Sequence, residues 1–525
     1  MKKKLYLPIG LMLMTMPLSA QDIYKLETLT GTDLNGTARY VGMGGAMNAL
    51  GADLSTMATN PAGIGMYRRS DVSMTGSVSV QPDAIDFCNI NKARASFDQM
   101  GFVYAARMGE GVEFINFGLN YHKRRNMKNF IGVNNFQTHG LSQSLEMLDL
   151  SFLNGGWLDL SLDKDRNSTT PLTCLGYDAQ MIAPTYDEDG NLTGYEPSSA
   201  EAYNYKRAQW GGINQFDFNI STNWNNQIYA GMTIGVQDVE INSGTLYNEM
   251  LSDNAGNLHP YYMTNDERIS GTGVDVKFGC IIRPIETSPF RIGFAFHTPT
   301  FYDLNTDSYL YMNSPYQDKH AEFTERDVDV VGNEYNVRTP WKFNISMATT
   351  VANVLALDAE YEYCDYSYAR VKYDYNGDYY YENIWGGKTD YALKQEAKRF
   401  LKPVSTFKVG AEAKLADNVF FRAGYNYVSA PIDKDAFLNL FTNSSSYYYN
   451  TNTDYVNLGE IQRATCGLGF KSKHFYADIA YQFQKQQGDL YTFHVPEMNS
   501  EANRLQAAKV DLNRHNIMLT LGYKF

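Results

Sequence analysis

The chain has 525 residues, of which 20% are charged and 14% aromatic, and its formal net charge is −13. A mean hydropathy of −0.40 excludes a helical membrane protein, and five cysteines are too few for a disulfide scaffold of this size. The negative charge disfavours a nucleic-acid partner, which usually requires a basic stripe. A polar, acidic chain with 40 tyrosines and 42 glycines is typical of a large all-β protein. Bacterial outer-membrane barrels fit best, because their strands carry apolar residues only at alternate positions.

The amino terminus has the organisation of an export signal. Lysines at positions 2–4 precede an apolar stretch at 5–18, and Leu18-Ser19-Ala20 offers small residues for cleavage. We therefore predict a signal peptide over residues 1–20, with an uncleaved anchor as the alternative. No later stretch reaches the roughly 18 consecutive apolar residues of a membrane-spanning helix, so we expect none downstream.

Residues 21–69 are rich in small residues and lack the pattern of a strand. Positions 46–50 are compatible with a helix, Asp53 or Ser55 can cap a second turn, and Pro61 would end it. The glycines allow backbone to pack closely against backbone. We predict that 21–69 form a hatch that enters and plugs a barrel, with a disordered tail as the alternative.

The rest of the chain consists of segments in which apolar and polar side chains alternate. The last of them, 516–525, ends on Phe525 and places apolar residues on a lipid-facing side and polar or small ones on a lumenal side. A strand that closes on Phe also resembles the signal by which the barrel-assembly machinery recognises its substrates. The pattern predicts fourteen strands, at 70–82, 97–108, 112–124, 209–223, 227–246, 270–283, 289–303, 337–351, 354–372, 402–415, 418–430, 460–471, 474–486 and 511–525.

The connections between these strands alternate between tight turns and long loops. Residues 109–111 and the pair Asn225-Asn226 are examples of the turns, and 125–208 is the longest loop. Short periplasmic turns and long external loops are typical of outer-membrane barrels, and an even strand count returns both termini to the periplasm. We therefore predict an all-β, 14-stranded antiparallel transmembrane β-barrel over residues 70–525, with the hatch in its lumen.

Charged residues are predicted on the lumenal side of several strands. Four cations are candidate binding residues for a ligand that carries a carboxylate: Lys277, Arg283, Lys342 and Arg422. Acidic residues share this inward parity: Asp275, Asp358, Glu360 and Glu362. The alternative, which we favour, is that these acids and bases form ion pairs that brace the barrel.

The long loop contains an apolar cluster that is a candidate capture surface. Its members are Leu141, Leu145, Met147, Leu148, Leu150, Phe152, Leu153 and Trp157. Three of the leucines have helical spacing, so the segment predicts an amphipathic helix that gathers lipid-like cargo. Packing of this helix over the barrel mouth is the alternative.

We predict no enzymatic site. The eight histidines lie apart in the sequence, no Gly-x-Ser-x-Gly motif is present, and no Cys or His pair has metal-site spacing. We therefore expect no metal and no cofactor. Cys280, Cys364 and Cys466 fall in strands as small apolar fillers, whereas Cys88 and Cys174 fall in external loops, where a disulfide between them is an open alternative.

Several blocks of sequence, taken in order, resemble the outer-membrane long-chain fatty acid transporters of the FadL/TodX group. They are Asn60-Pro61-Ala62-Gly63 with its lead-in 50–53, then 339–341 with 355–361, then 420–425, and the terminal 523–525. The resemblance spans nearly the whole chain, but loop 125–208 does not match the family. It implies that Asn60, Pro61, Ala62 and Gly63 belong to a hatch and that a kinked strand opens a lateral gate. A helix-terminating turn without a role in gating is the alternative for these residues.

The resemblance implies a passive channel of the cell outer membrane for hydrophobic compounds such as long-chain fatty acids. Its partners would be this small-molecule ligand and the surrounding lipid, and we expect a monomer. Aromatic hydrocarbons and haem are other cargoes that the sequence leaves open. The alternative function is a non-transport scaffold for surface-exported proteins, because tyrosine runs at 379–381 and 447–449 are suited to a recognition surface.

Overall fold

The computed structural model describes residues 23–88, 90–109, 111–149, 151–153, 155–166, 168–252, 258–313, 320–324, 334–373, 388–436, 454–494 and 505–525. The predicted signal peptide and the tyrosine runs at 379–381 and 447–449 lie outside these residues. In the part of the chain that the structure describes, no helix is long and apolar enough to cross a membrane.

Fourteen antiparallel strands form the wall of a closed barrel. The first strand pairs with the last, from Asp71 opposite Lys524 to Val80 opposite His515, and this pairing closes the sheet. The predicted strand count and fold class are therefore confirmed. In chain order the strands are β1, Asp71–Val80; β2, Ala93–Arg107; β3, Val112–Asn126 and Asn129–Gln137; β4, Ser199–Trp224; β5, Ile228–Ser252; β6, Leu258–Ile282; β7, Arg291–His297 and Phe301–Asn313; β8, Glu334–Arg338 and Lys342–Val351; β9, Leu355–Asp365 and Arg370–Tyr373; β10, Pro403–Ala416; β11, Val419–Val428; β12, Tyr455–Lys471; β13, Phe475–Tyr491; and β14, Ala508–Asp511 and Arg514–Lys524.

Short turns connect the strands at one end of the barrel, which also holds the start of β1 and the end of β14. Two of these turns have left-handed backbone at both central residues, with φ of 50° and 53° at Asn225 and Asn226, and 49° and 57° at Ala352 and Asn353. This is the geometry of two-residue hairpins whose twist matches that of the strands. We call this the turn end, and the opposite end the loop end.

An apolar belt surrounds the turn-end half of the barrel. In β14, Ile517, Leu519 and Leu521 are exposed by 40–52%, whereas Met518 and Thr520 between them are buried. The predicted alternation is thus confirmed. Toward the loop end the belt gives way to charged residues such as Glu240 and Arg268, which form an exposed ion pair. The belt is the surface that a bilayer would cover.

Three strands extend beyond the belt toward the loop end. β4 has 26 residues, and β5 and β6 have 25 each, so the predicted bounds 209–223, 227–246 and 270–283 were too short. The alternation of apolar and polar residues did not predict the extension, because its outer face is in contact with water rather than lipid. Beyond the belt the outward positions mix polar residues such as Asn242 and Asn248 with apolar ones such as Leu246. The alternation that marks a lipid-facing strand is therefore lost.

The remaining elements are short and lie in the lumen or at the loop end. They are the helices Ile23–Thr30, Ala38–Gly42, Ser144–Asp149, Asp163–Arg166, Pro171–Asp178 and Tyr391–Phe400; the 3₁₀ helices Leu54–Ala58, Pro61–Met66 and Tyr366–Tyr368; and the strands Phe152–Leu153, Gly156–Trp157, Ile182–Tyr186, Leu192–Pro197, His320–Thr324 and Lys388–Thr389.

Residues 23–67 lie inside the barrel, and Arg68 and Arg69 follow them at the exposed turn end. We call residues 23–69 the plug. The backbone N–H of Ala38 donates to the Thr520 hydroxyl at 2.7 Å, and the Thr465 hydroxyl donates to the Gly42 carbonyl at 3.1 Å. Asp53 caps the helix Leu54–Ala58 by accepting from the N–H of Ser55, as predicted. A hatch in the lumen is therefore part of the fold.

All five cysteines are free thiols, so the alternative of a Cys88–Cys174 disulfide is wrong. Cys174 lies on the helix Pro171–Asp178 and contacts the carbonyl of Arg166. Cys88 instead lies against β5, beside Gly244. Different neighbours therefore hold the two thiols apart.

Candidate functional site in the plugged lumen

The Asn60-Pro61-Ala62-Gly63 motif forms a buried turn of the plug that lies against β5 and β6 of the wall. Asn60 caps the helix Pro61–Met66: its side-chain oxygen accepts from the N–H of Ala62 at 3.2 Å, and its amide donates to the Asn48 carbonyl at 2.9 Å. Pro61 takes the first helical position, where no N–H is needed. A Cβ atom on Gly63 would lie 2.5 Å from the Thr56 hydroxyl oxygen. The motif therefore fixes the local shape of the plug through its own backbone.

Two wall carboxylates hold the next part of the plug. Glu360 accepts from the N–H groups of Met47 and Asn48, both at 2.6 Å. Asp358 accepts from those of Ala49 and Leu50, at 3.2 and 2.8 Å. The predicted helix at 46–50 is wrong: the segment is a turn, because the wall rather than a preceding helical turn binds these N–H groups.

Lys277 and Lys342 both lie in lumenal ion pairs. Lys277 Nζ is 2.5 Å from Asp275 Oδ1 and 3.5 Å from Asp217 Oδ1. Lys342 Nζ is 3.2 Å from Glu362 Oε1. Lys342 therefore joins the neighbouring strands β8 and β9, whereas Lys277 pairs within β6 and reaches across β5 to β4. Ion pairing of these lumenal bases is the arrangement that the sequence favoured.

The two predicted arginines differ in position. Arg422 is buried between carboxylates, with Nε 2.6 Å from Glu412 and Nη1 2.6 Å from Asp478. Arg283 lies just past the end of β6, where it donates to the carbonyls of Ser288 and Glu286 at 2.7 and 2.5 Å. It therefore stabilises a turn at the turn end. Binding of a carboxylate ligand by any of the four cations stays a prediction and requires these contacts to open.

The apolar cluster of the long loop covers the loop end of the barrel. Its helix, Ser144–Asp149, has half-buried Leu145 and Leu148. Trp157 is also partly buried, whereas Phe152 is 47% exposed and contacts the Trp157 ring edge-on at 5.0 Å between centroids. Packing over the mouth thus describes Leu145 and Leu148 of the helix, whereas Phe152 is exposed; Leu150 and the side chain of Leu153 lie outside the described residues.

A buried carboxylate connects the apolar cluster of the long loop, which we call the loop cap, to the extension of β5. Glu249 lies nine residues beyond the end of the apolar belt at Glu240 and is fully buried. It accepts from the N–H of Gln143 and the hydroxyl of Ser142, both at 2.8 Å, and from Tyr247. Burial raises the pKa of Glu249 from 4.5 to about 7. The loop cap is therefore held by a carboxyl group, that of Glu249, whose pKa lies near neutrality.

The wall is interrupted where β7, β8 and β9 lie side by side. All three strands are split at this level. On the two sides of each split, the buried side chains that point inward switch between odd and even residue numbers: His297 and Tyr302 in β7, Val337 and Asn344 in β8, and Cys364 and Ala369 in β9. A shift of one residue turns every following side chain to the other face. Three adjacent strands therefore change register at one height of the barrel.

Prolines remove ladder hydrogen bonds at this interruption. Pro299 of the β7 break and Pro340 of the β8 break have no N–H to donate. Thr339 N–H donates to the Thr300 carbonyl at 3.0 Å, and Thr300 N–H donates to the Thr339 hydroxyl at 2.8 Å. Thr339 and Pro340 line both a lumenal cavity of about 120 Å³ and a groove on the outer wall. The wall between the two spaces is therefore one residue thick.

Fourteen strands closed around an internal plug define a plugged transmembrane β-barrel. No protein-family model matches the chain, and no curated protein matches it. Among solved structures it is similar to a Pseudomonas aeruginosa FadL homologue, at 13% identity and a TM-score of 0.49, over 94% of this chain and 99% of that one. It is also similar to the Ralstonia pickettii toluene transporter TbuX (14%, 0.47, 94% and 99%) and to the CymD monoaromatic hydrocarbon channel (10%, 0.49, 94% and 99%).

Proposed function

We propose that the protein is an outer-membrane channel for the passive uptake of hydrophobic compounds such as long-chain fatty acids. The cargo is captured at the loop end, the plug rearranges, and the cargo leaves sideways into the bilayer. The observation that carries this proposal is the interruption of β7–β9, where Thr339 and Pro340 separate the lumenal cavity from the outer groove.

Capture is assigned to the exposed part of the loop cluster. Phe152 and Trp157 present aromatic surface to solvent, and Trp157 is held by the ring of Tyr195 at 6.1 Å between centroids. Exposed aromatic surface that is fixed in place is suited to gathering an apolar molecule from water. Leu148 and Trp157 both pack against the buried apolar cluster that includes Met147.

Rearrangement of the plug is assigned to its polar fastening. The carboxylates of Asp358 and Glu360 hold residues 47–50 by hydrogen bonds from backbone N–H groups. Such bonds to a charged acceptor contribute about 1.5–3 kcal/mol each and can be exchanged for bonds with water. The turn around Asn60 keeps its shape through the hydrogen bonds of the Asn60 side chain, and its contacts with the wall include hydrogen bonds to the Thr59 and Pro61 carbonyls. The plug can therefore shift without unfolding.

Lateral release follows from the physical chemistry of an apolar cargo. Such a molecule gains free energy by entering lipid rather than the aqueous periplasm, so a path through the wall suits it better than a path along the axis. The interruption provides the site, because two prolines and a change of register have already removed ladder hydrogen bonds there. No energy source is needed beyond the concentration gradient.

Location and assembly are part of the proposal. The apolar belt and the terminal strand that ends at Phe525 suit insertion into the outer membrane by the barrel-assembly machinery, and the closed sheet needs no second copy. A scaffold for surface-exported proteins is not proposed, because the tyrosine runs that suggest it lie outside the described residues.

The proposal is tested by uptake in cells. Radiolabelled oleate and toluene are supplied to a strain that lacks the protein, to the same strain with the protein restored, and to one restored with Phe152→Ser. We expect restoration to raise the initial uptake rate several-fold and Phe152→Ser to lower it, with labelled glucose as the polar control. Equal uptake in all strains for several apolar compounds contradicts a transport function.

A further inference from the structure

A groove runs along the outer wall beside the interruption. Its upper part, about 520 Å³, lies next to Arg338 and Arg370, and its lower part, about 510 Å³, descends the apolar belt. The two parts share Phe343 and Tyr363, whose side chains are 52% and 36% exposed. The groove is therefore continuous, with a basic upper end and an aromatic lower end.

The two arginines at the upper end form a like-charge pair. Arg338 of β8 and Arg370 of β9 are direct cross-strand partners, and like charges in that position repel each other. Among the described residues neither guanidinium forms an ion pair with a carboxylate. Asp365 lines the same groove: its carboxylate accepts from the N–H of Ser367 at 3.1 Å, and its charge attracts Arg370 without forming an ion pair with it.

The guanidinium groups are held in place by other contacts. Arg338 lies over the Phe301 ring at 5.6 Å and Arg370 over the Tyr368 ring at 5.7 Å. Arg370 also donates through Nη1 to the carbonyls of Ser367 and Ala369, at 2.7 and 2.5 Å. Each guanidinium has five N–H donors, so donors remain for an anion that would relieve the repulsion.

The height of the pair on the barrel identifies the kind of anion. The membrane-facing part of β8 begins just below it, where Trp341 is 44% exposed, and Tyr368 beside it is 63% exposed. Exposed Trp and Tyr mark the boundary between hydrocarbon and headgroups. An anion at Arg338 and Arg370 therefore lies at headgroup level, with the aromatic groove extending from it toward the centre of the bilayer.

We propose that Arg338 and Arg370 bind the phosphate of an anionic membrane lipid, whose acyl chain occupies the groove along Phe343 and Tyr363. Arginine pairs bind phosphate oxygens with two parallel hydrogen bonds each. The basic upper end and the apolar lower end match the headgroup and the tail of such a lipid. The bound lipid would stand at the outer side of the wall interruption.

The test measures lipid binding to the purified full-length protein by native mass spectrometry, with dioleoylphosphatidylglycerol and dioleoylphosphatidylcholine as probes. We expect one tightly held phosphatidylglycerol and a preference of at least about tenfold over phosphatidylcholine, which corresponds to about 1.4 kcal/mol, because charge-assisted hydrogen bonds to a phosphate are stronger than neutral ones. The double variant R338Q/R370Q should lose the preference. R268Q, whose arginine is exposed but paired with Glu240, is the matched control and should keep it.

Further arms separate lipid phosphate from other sources of charge. R338K/R370K keeps both charges and should lose less affinity than R338Q/R370Q; equal loss overturns the assignment to these charges. Phe343→Ala should weaken phosphatidylglycerol binding, because it removes part of the tail site. Displacement by inorganic phosphate at comparable concentration, a preference for oleate over phosphatidylglycerol, or equal binding of the two phospholipids would each overturn the proposal.

Discussion

Arg39 of the plug and Glu412 of β10 form a bidentate ion pair, with Nε to Oε2 at 2.9 Å and Nη2 to Oε1 at 3.0 Å. Glu412 also accepts from Arg422, which in turn reaches Asp478. A network of two arginines and two carboxylates therefore joins the plug to β10, β11 and β13. Planar bidentate geometry holds direction as well as distance, so this pair limits rotation of the plug.

Replacing Arg39 by Gln is expected to loosen the plug. Removal of one partner of a buried pair costs about 3–5 kcal/mol; here Glu412 keeps Arg422, so we expect about 2 kcal/mol, or about thirtyfold in the opening equilibrium. Single-channel recording in planar bilayers should show more frequent openings. Lys414→Gln, which breaks an exposed turn pair with Asp417, is the control and should behave as wild type. Equal opening frequencies in both variants contradict this role.

Gly424 of β11 is expected to tolerate no side chain. A Cβ atom there would lie 2.2 Å from the Gly44 nitrogen and 2.3 Å from the Met43 carbonyl carbon, and this neighbour is backbone that cannot rotate away. Gly424→Ala should therefore displace the plug at a cost of about 1–3 kcal/mol, seen as faster hydrogen exchange in residues 38–47. Gly109→Ala, with nothing within 4 Å, is the control. Unchanged exchange in Gly424→Ala would show that the contact is looser than described.

Asn60 is expected to stabilise the plug by capping the helix Pro61–Met66. Asn60→Ala removes both the acceptor for Ala62 N–H and the donor to the Asn48 carbonyl, at about 1–2 kcal/mol. Asn60→Ser keeps a capping oxygen but cannot reach Asn48, so its loss of stability should be intermediate. The loss of stability in both variants is measured by chemical denaturation and by hydrogen exchange of the plug residues. If the Ser and Ala variants are equally destabilised, the cap is not the source of the effect.

The loop cap is expected to weaken as the pH rises. The pKa of Glu249 is raised by burial from 4.5 to about 7, so the folded cap binds a proton that the unfolded segment has released. Its stability therefore falls between pH 4.5 and 7, by about 3 kcal/mol, and is constant above that window. Hydrogen exchange of residues 142–149 at pH 5 and pH 8, corrected for intrinsic rates, should show this in wild type but not in Glu249→Gln. The same pH response in both proteins would assign it to another group.

The strand count was predictable from sequence because the belt faces lipid. Between Asn516 and Phe525 every second residue is apolar, and a period of two leaves one choice of inner and outer face. The plug backbone was not predictable at 46–50, because its N–H groups bind Asp358 and Glu360, about 310 residues away in the chain. Local propensity contains no information about such partners.

The interruption of the wall could be predicted from the sequence only in part. Pro299 and Pro340 lie inside the predicted strands 289–303 and 337–351, and a proline inside a strand indicates a bulge or an edge. That the two breaks lie side by side, with a third in β9, follows from the cross-strand register, which the sequence does not contain. That Lys277 and Lys342 form ion pairs in the lumen was predictable from the sequence, but which carboxylates they pair with was not.

The most direct test of lateral release is a disulfide across the interruption. In a background without the five native cysteines, Thr300→Cys with Thr339→Cys would join β7 to β8, since these residues already share two hydrogen bonds. Ala295→Cys with Asn344→Cys joins the same strands below the interruption and is the control. We expect oxidation of the first variant to abolish oleate uptake, a reductant to restore it, and the control variant to transport oleate in both states. Uptake by the first variant that is the same when oxidised and when reduced would contradict it.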